Sequence, residues 1–408
     1  MRSPAADVID QQWSYSVRAA RQDSYDVNYR RDLLSLKDPT LADALRPGAS
    51  VLVVTTPSVD RLYGDRLRAY LAAHASQNSF THMVLPCSEA DKSFEKVLSI
   101  CHKASDAGLA RQSQVVCVGG GVLLDIAGLA ATLFRRGVPH IRVPTTLIGM
   151  IDAAIGVKNA VNYNQSKSLL GTFTPPEACF IDPSFLATLP RRHLQCGLAE
   201  LIKIAVMCSS ELFQKFEARA DQLLLGATGI DIDLSSDLIQ LGAYWTLKEL
   251  ELNLFERREL FEEQSYARKL DFGHTFSPMV ETSSGHSILH GEAVAIDMAI
   301  CAELAYRMQI LNKSARTRIL DALLAVDLPI HLEGLEAGEL HASLESVVRH
   351  RDGNLNLPLP SDIGSAVFVK DLRDVSATLL REALETLGCY AARRDHELDR
   401  PQLMHATR

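Results

Sequence analysis

No long block of lysine and arginine occurs in this 408-residue chain, whose formal net charge is -8. That absence argues against nucleic acid and against an anionic membrane as partner. No C-x-x-C pair occurs either. The eight cysteines, at 87, 101, 117, 179, 196, 208, 301 and 389, are scattered, which suits reduced thiols in a cytoplasmic enzyme. The start, Met1-Arg2-Ser3-Pro4-Ala5-Ala6-Asp7, lacks the apolar stretch of a signal peptide. There is no internal repeat. A membrane span is also missing: residues 115–134 are nearly apolar, but Gly119-Gly120-Gly121 and Asp125 divide them into a strand, a turn and a helix. What is present is 47% apolar and 23% charged, the balance of a globular protein long enough for two cores.

Strand and helix signals alternate through the first half. Residues 13–18 and 25–29 alternate like strands; 51–56, 82–86, 114–118 and 140–144 read as short strands, and 59–74, 93–107 and the stretch after Gly121 as helices. This order predicts an α/β fold, a Rossmann-like doubly wound parallel sheet. From about residue 187 the pattern turns helical: 190–208, 210–225, 233–257, 288–310, 313–326 and 338–350. The expectation is an NAD-binding α/β domain over 1–187 and a mostly α-helical metal- and substrate-binding domain over 188–408, meeting near Thr188-Leu189-Pro190. Pro358-Leu359-Pro360 and Ile363-Gly364 read as turns, and 391–408 as a polar tail.

The chemistry concentrates in a few motifs. His274 follows Gly273 in the run DFGHTFSP, His290 opens the run HGE, and Glu200 lies in GLAELIK. One carboxylate and two imidazoles from separate elements can fix a divalent ion and leave positions open for substrate oxygens. His286 is a competing ligand four residues before His290, but Gly285 and Ser287 make that stretch a poor helix, and it ranks below His274. Glu200 and Lys203 share a helix face; a surface ion pair is the plainer account. Gly119-Gly120-Gly121, after a strand and before a helix, would let a pyrophosphate approach the helix N-terminus. The G-x-G-x-x-G match fails at Leu124, and a tight turn without ligand explains the glycines equally well. Asp125, Glu89 and Lys92 either meet a cofactor or serve helix ends. Pro144-Thr145-Thr146 through Asp152 sits where open α/β sheets bind ligands. Lys158, Asn162 and Lys167 follow in a stretch too polar for a core; they would clamp a phosphate, or they are solvated loop residues.

Together the motifs GGGVLLDIAG, VPTTLIGMIDAAIGVKNAVN, KSLLG, GLAELIK, DFGHTFSP and LHGEAVAIDMA resemble the sugar phosphate cyclases, the dehydroquinate synthase superfamily, over residues 50–370. The resemblance implies a homodimer acting on a small sugar phosphate, with catalytic NAD and one Zn2+ or Co2+ ion. It implies Glu200, His274 and His290 as metal ligands, and Glu89, Lys92, Gly119, Gly120, Gly121, Asp125, Thr145, Thr146, Asp152 and Lys167 as NAD contacts. Asp152, Lys158, Lys167, Lys203, Arg268 and His350 would be catalytic, and Arg136, Asn162, Asp271 and Arg351 would meet substrate. Arg136 in some members acts across the dimer. The chemistry implied is hydride removal by NAD, phosphate elimination, hydride return and an aldol ring closure.

Departures from dehydroquinate synthases point within the superfamily. Those enzymes carry a second histidine where Pro278 stands, an arginine where Ala267 stands, and usually asparagine where Ser168 stands. The DFGHTFSP form and the run His350-Arg351-Asp352-Gly353 look like the branch that cyclises sedoheptulose 7-phosphate, to 2-epi-5-epi-valiolone or to 2-epi-valiolone or desmethyl-4-deoxygadusol. Iron-type polyol dehydrogenases share the two-domain plan but usually place Asp at the first ligand, where this chain has Glu200.

Overall fold

The computed structural model describes residues 23–164, 166–225, 229–252, 254, 268–285, 287–350 and 355–398. The alternation expected at 13–18, together with His286, Ala267, Arg351 and the tail beyond 398, lies outside them.

Val51, Leu52, Val53 and Val54 are fully buried, as are Val115 to Val118 and Ile141 to Val143. Runs apolar on both faces belong to strands covered on both sides, which is the environment of a parallel sheet. The six strands β1 (Asp26–Tyr29), β2 (Ser50–Thr55), β3 (Ser79–Val84), β4 (Gln114–Gly119), β5 (His140–Pro144) and β8 (Ala178–Ile181) pair in the order β1-β8-β5-β4-β2-β3. Every pairing is parallel. The chain adds β3 on one side of β2 and then β4 on the other, so the order reverses between β2 and β4. The C-terminal ends of those two strands therefore open a crevice, where such sheets take ligands, and Gly119-Gly120-Gly121 stands at its lip.

Two segments differ from expectation. Residues 158–173, read as a polar stretch, form an antiparallel hairpin of β6 (Lys158–Tyr163) and β7 (Ser166–Phe173). Only Asn159 and Val161 of β6 are buried, and β7 packs neither face into a core. No period-2 pattern is imposed on such a strand, so none appears in its sequence. Pro358 and Pro360, read as turn residues, lie within β9 (Leu357–Asp362), which among the described residues pairs only with β10 (Ser365–Val369). A two-stranded ribbon has free edges, and proline costs no ladder bond there. The turn at Gly364 is present, with φ +88°.

The second half is helical. The helices Arg191–Cys208 and His290–Arg307 are its centre, each with more than a dozen buried residues. Gly291 explains how closely they cross: a Cβ there would lie 2.2 Å from Cys196 Cα. Cys196 is one turn before Glu200 on the same face. The close approach at Gly291 therefore brings His290 beside Glu200. No helix among the described residues is long and apolar enough to cross a membrane.

Candidate metal and cofactor site

Glu200 projects from the interior of helix 191–208 and is fully buried; the surface ion pair that its sequence allowed is not what forms. His290 Nε2 lies 3.3 Å from Glu200 Oε1 and His274 Nε2 3.7 Å from the same oxygen. One ligand atom from each of the three residues falls within 4.8 Å of the others, a group of the size a single ion fills. Lys203 Nζ is 2.6 Å from Oε2 as an ion pair, yet neither carboxylate oxygen meets hydrogen-bond geometry with a protein donor. A sealed carboxylate without hydrogen bonds, faced by two imidazole nitrogens, fits a divalent cation.

His274 is placed by backbone chemistry. Gly273 adopts φ +77°, and a Cβ there would strike Val294 Cγ1 at 2.8 Å. His274 Nδ1 meets the Phe272 carbonyl oxygen at 3.2 Å, leaving Nε2 toward Glu200. Downstream, the buried Asp297 carboxylate accepts from the amides of Phe276 and Ser277 (2.9 Å for Ser277), closing the start of helix Ser277–Ser283. Asp297 stands two turns after His290 on the same helix, so that helix carries one ligand and anchors the loop bearing another.

The charges around the site alternate. Burial alone would raise the Glu200 carboxyl, but Lys203 and the imidazoles hold it well below the usual range. Burial and the nearby Lys203 push His274 down to about 4. Burial also opposes a charged His290, but the flanking carboxylates of Glu200 and Glu281 outweigh it and raise His290 to about 9. Proton and metal compete for His290 Nε2, so loading an ion at neutral pH should release one proton, and affinity should rise with pH up to about 9. Calorimetry of Zn2+ binding in buffers of different ionisation enthalpy checks this; zero proton release at pH 7 would contradict it.

Further candidates gather near the triad. Lys203 Nζ is 3.7 Å from Asp152 Oδ2, on the one-turn π-helix Gly149–Ala153. Lys167 Nζ bonds Glu281 Oε2 at 2.7 Å and lies 4.0 Å from Glu89 Oε1. Arg268 Nη2 is 3.6 Å from Asp271 Oδ1. On the sheet side, Lys92 Nζ bonds Asp125 Oδ2 at 2.6 Å, and Asn162 Nδ2 bonds the Glu89 carbonyl oxygen and Oε1 at 3.0 and 3.2 Å. The Thr146 hydroxyl accepts from Gly149 N at 3.2 Å, and Thr145 is buried. The glycine run serves the protein's own packing too: a Cβ on Gly120 would crowd Thr146 at 3.1 Å. Lys158 opens β6, and Ser168 takes φ +51°, a conformation asparagine adopts more readily. His350 ends helix Ala337–His350.

Arg136 is not brought to this site by its own chain. It lies on an exposed turn after helix Gly121–Leu133, which runs from the C-terminal end of β4 to the N-terminal end of β5. That helix of 13 residues puts Arg136 roughly 20 Å from the glycine lip, at the opposite end of the sheet.

Two residues of the site carry no signal in the sequence. Glu281, nine positions before His290, bonds His290 Nδ1 through Oε1 at 2.8 Å while Oε2 holds Lys167. Arg142, buried in β5, donates to the carbonyl oxygens of Ala153, Ala154, Gly156 and Lys158 and to Asn159 Oδ1, at 2.6 to 3.3 Å. It underpins the loop that carries Asp152 and Lys158. Nothing in the local pattern marks either residue, because their partners are distant in sequence.

The profile of the 3-dehydroquinate synthase N-terminal region matches residues 82–196, and that of the C-terminal region matches 197–348. The chain is 41% identical to a 2-epi-5-epi-valiolone synthase of an Actinoplanes species, over 88% of this chain and 90% of the relative. A solved structure of ValA, the 2-epi-5-epi-valiolone synthase of Streptomyces hygroscopicus subsp. jinggangensis 5008, with NAD+ and Zn2+ bound, superposes with a TM-score of 0.83 at 39% identity, covering 92% of this chain and all of that one. A 3-dehydroquinate synthase of Prochlorococcus marinus is 32% identical over 87% of this chain and 93% of the relative.

Proposed function

The chain belongs to the 3-dehydroquinate synthase family, and within it we propose that it is an NAD- and metal-dependent sugar phosphate cyclase of the cytoplasm, a phosphate-eliminating lyase that converts sedoheptulose 7-phosphate to 2-epi-5-epi-valiolone. One observation carries the reading: the Glu200–His274–His290 group, its carboxylate buried and its imidazoles half-buried, stands beside Lys203 and Asp152 in a chain 41% identical to a 2-epi-5-epi-valiolone synthase.

Glu200, His274 and His290 would hold Zn2+ or Co2+, and the crevice between β2 and β4 would take NAD, with the glycine lip and the N-terminus of helix 121–133 toward its pyrophosphate. When bound, the ion supplies Lewis acidity and the nicotinamide a reversible store for one hydride. Lys203 and Asp152, 3.7 Å apart, orient a substrate hydroxyl. Lys158 and Lys167 bring positive charge toward the phosphate, with Asn162 holding Glu89 and the turn at Ser168 in place. Lys92 and Asp125 form the polar floor on the cofactor side.

The test is direct. Purified protein incubated with sedoheptulose 7-phosphate and NAD+ should give the cyclitol by NMR and inorganic phosphate, with no net rise in NADH absorbance. Stoichiometric NADH would instead identify a dehydrogenase.

Homodimerisation is part of the reading. The β6–β7 hairpin exposes Tyr163, Leu169, Leu170 and Phe173, at 57%, 56%, 37% and 45%, apolar side chains spread over both of its faces, a surface that a second copy would cover. A second copy also accounts for Arg136, which its own chain leaves far from the site. The double substitution Leu170→Glu with Phe173→Glu should halve the mass measured by light scattering; an unchanged mass would place the interface elsewhere.

A further inference from the structure

The triad does not end at its ligands. From the cofactor side to Asp152, charged groups of opposite sign follow one another: Asp125 with Lys92 at 2.6 Å, then Glu89 with Lys167 at 4.0 Å, Lys167 with Glu281 at 2.7 Å, Glu281 with His290 at 2.8 Å, His290 with Glu200 at 3.3 Å, and Glu200 with Lys203 at 2.6 Å. Glu281 divides its two oxygens between the metal-ligand candidate His290 and the hairpin lysine Lys167. Oε1 faces the ring nitrogen of His290 that points away from Glu200, and Oε2 holds the ammonium of Lys167. Its own side chain is 8% exposed, while Lys167 and His290 are 36% and 34% exposed, so the carboxylate is the shielded member of both contacts.

We propose that Glu281 is a positioning residue that couples the metal ligand His290 to Lys167. The inference rests on the reading of Glu200, His274 and His290 as a metal site. Accepting a hydrogen bond from Nδ1–H fixes the tautomer, leaves Nε2 free to ligate and makes it more basic, which is how an outer carboxylate tightens a histidine–metal bond. The same carboxylate is shared with Lys167 on the hairpin. The more of its charge the lysine takes, the less reaches the imidazole. The two partners of Glu281 therefore pull in opposite directions: removing the carboxylate weakens metal binding, and removing the lysine's charge does not.

The place of Glu281 follows from elements already described. Helix 277–283 begins where Asp297 fixes the amides of Phe276 and Ser277, and one turn later Glu281 faces His290. Asp297 and His290 lie on one helix, so the distance from the metal ligand to its carboxylate is set within a closed loop of contacts.

The experiment measures Zn2+ affinity of the full-length, metal-stripped protein by competition with a chromophoric chelator, for wild type, Glu281→Gln, Glu281→Asp and Lys167→Met. Glu281→Gln is expected to weaken Zn2+ binding by about 10- to 100-fold. Glu281→Asp should recover part of that loss, and Lys167→Met should bind Zn2+ at least as tightly as wild type. Wild-type affinity in Glu281→Gln overturns the proposal, and so does a Lys167→Met chain that loses as much affinity as Glu281→Gln, because that would signal general disruption of the site. Should near-ultraviolet circular dichroism show Glu281→Gln unfolded, Lys167→Met decides alone: weakened binding overturns the coupling, and retained or tightened binding supports it. A wild-type chain that takes up no Zn2+ refutes the metal-site reading itself, a different failure from a wild type that binds and a Glu281→Gln chain that binds equally well.

Discussion

A Glu200→Ala chain is expected to lose bound metal and turnover together, with kcat/KM down by about 10⁴ or more. The size follows from what the carboxylate does. It is the only anionic member of the three-residue group, and Lewis-acid stabilisation of this kind supplies several kcal/mol, each 1.4 kcal/mol of which is roughly a factor of ten in rate. The substitution has a second cost. Lys203 is 2% exposed and loses the partner 2.6 Å away, keeping Asp152 at 3.7 Å. Stranding a buried charge costs on the order of 3–5 kcal/mol, and Asp152 offsets part of that. Glu200→Gln keeps the volume and removes the charge, so a loss it shares with Glu200→Ala belongs to the charge and not to a cavity. Metal analysis of dialysed protein and thermal melts with added Zn2+ provide the readout: Zn2+ should raise the melting temperature of wild type and leave both variants unmoved. Stoichiometric metal in Glu200→Ala would remove that residue from the ligand set.

Substrate choice should show the next largest effect. Sedoheptulose 7-phosphate should be turned over, and the seven-carbon keto acid phosphate used by dehydroquinate synthases should be disfavoured by about a thousandfold in kcat/KM. A carboxylate taken into a site without its cation costs several kcal/mol. Ala267 stands where dehydroquinate synthases place an arginine, and the neighbouring Arg268 is drawn to Asp271 at 3.6 Å. Pro278 replaces an imidazole and occupies the first turn of helix 277–283, where its missing N–H is no loss. Comparing the two substrates under identical metal and NAD+ decides the matter, and a preference for the keto acid would return the chain to dehydroquinate synthase chemistry. Arg268→Ala adds a check: a larger loss with the keto acid than with the sugar would show that Arg268 fills the arginine's place.

The parallel strands are legible in the sequence because burial on both faces forces continuous apolar runs. The triad is legible because glycine, histidine and glutamate stand in short, separate motifs. Legibility ends where a residue's partners lie far away in the chain. Glu281 gives no signal, since its neighbours Lys167 and His290 come from a hairpin and another helix. Arg142 reads as one strand residue between Ile141 and Val143, although it serves a loop eleven or more positions on. Strand β7 is silent because a strand with no core on either side carries no alternation, and β6 buries only Asn159 and Val161, one of them polar. A motif alone draws Arg136 into the site, and the direction of one helix is enough to place it at the other end of the sheet.

The spacing of the triad bears on how the chain reaches its native state. Glu200 and His290 are 90 positions apart, and they meet only once helices 191–208 and 290–307 cross at Gly291 and Cys196. Closing so long a loop is entropically slow, and an ion that needs both ends cannot nucleate it. The core around those helices is apolar and buried without help from an ion. The cation is thus a late arrival on an already collapsed chain. Refolding rates should be nearly independent of added Zn2+, whereas the recovery of activity should track the metal's concentration.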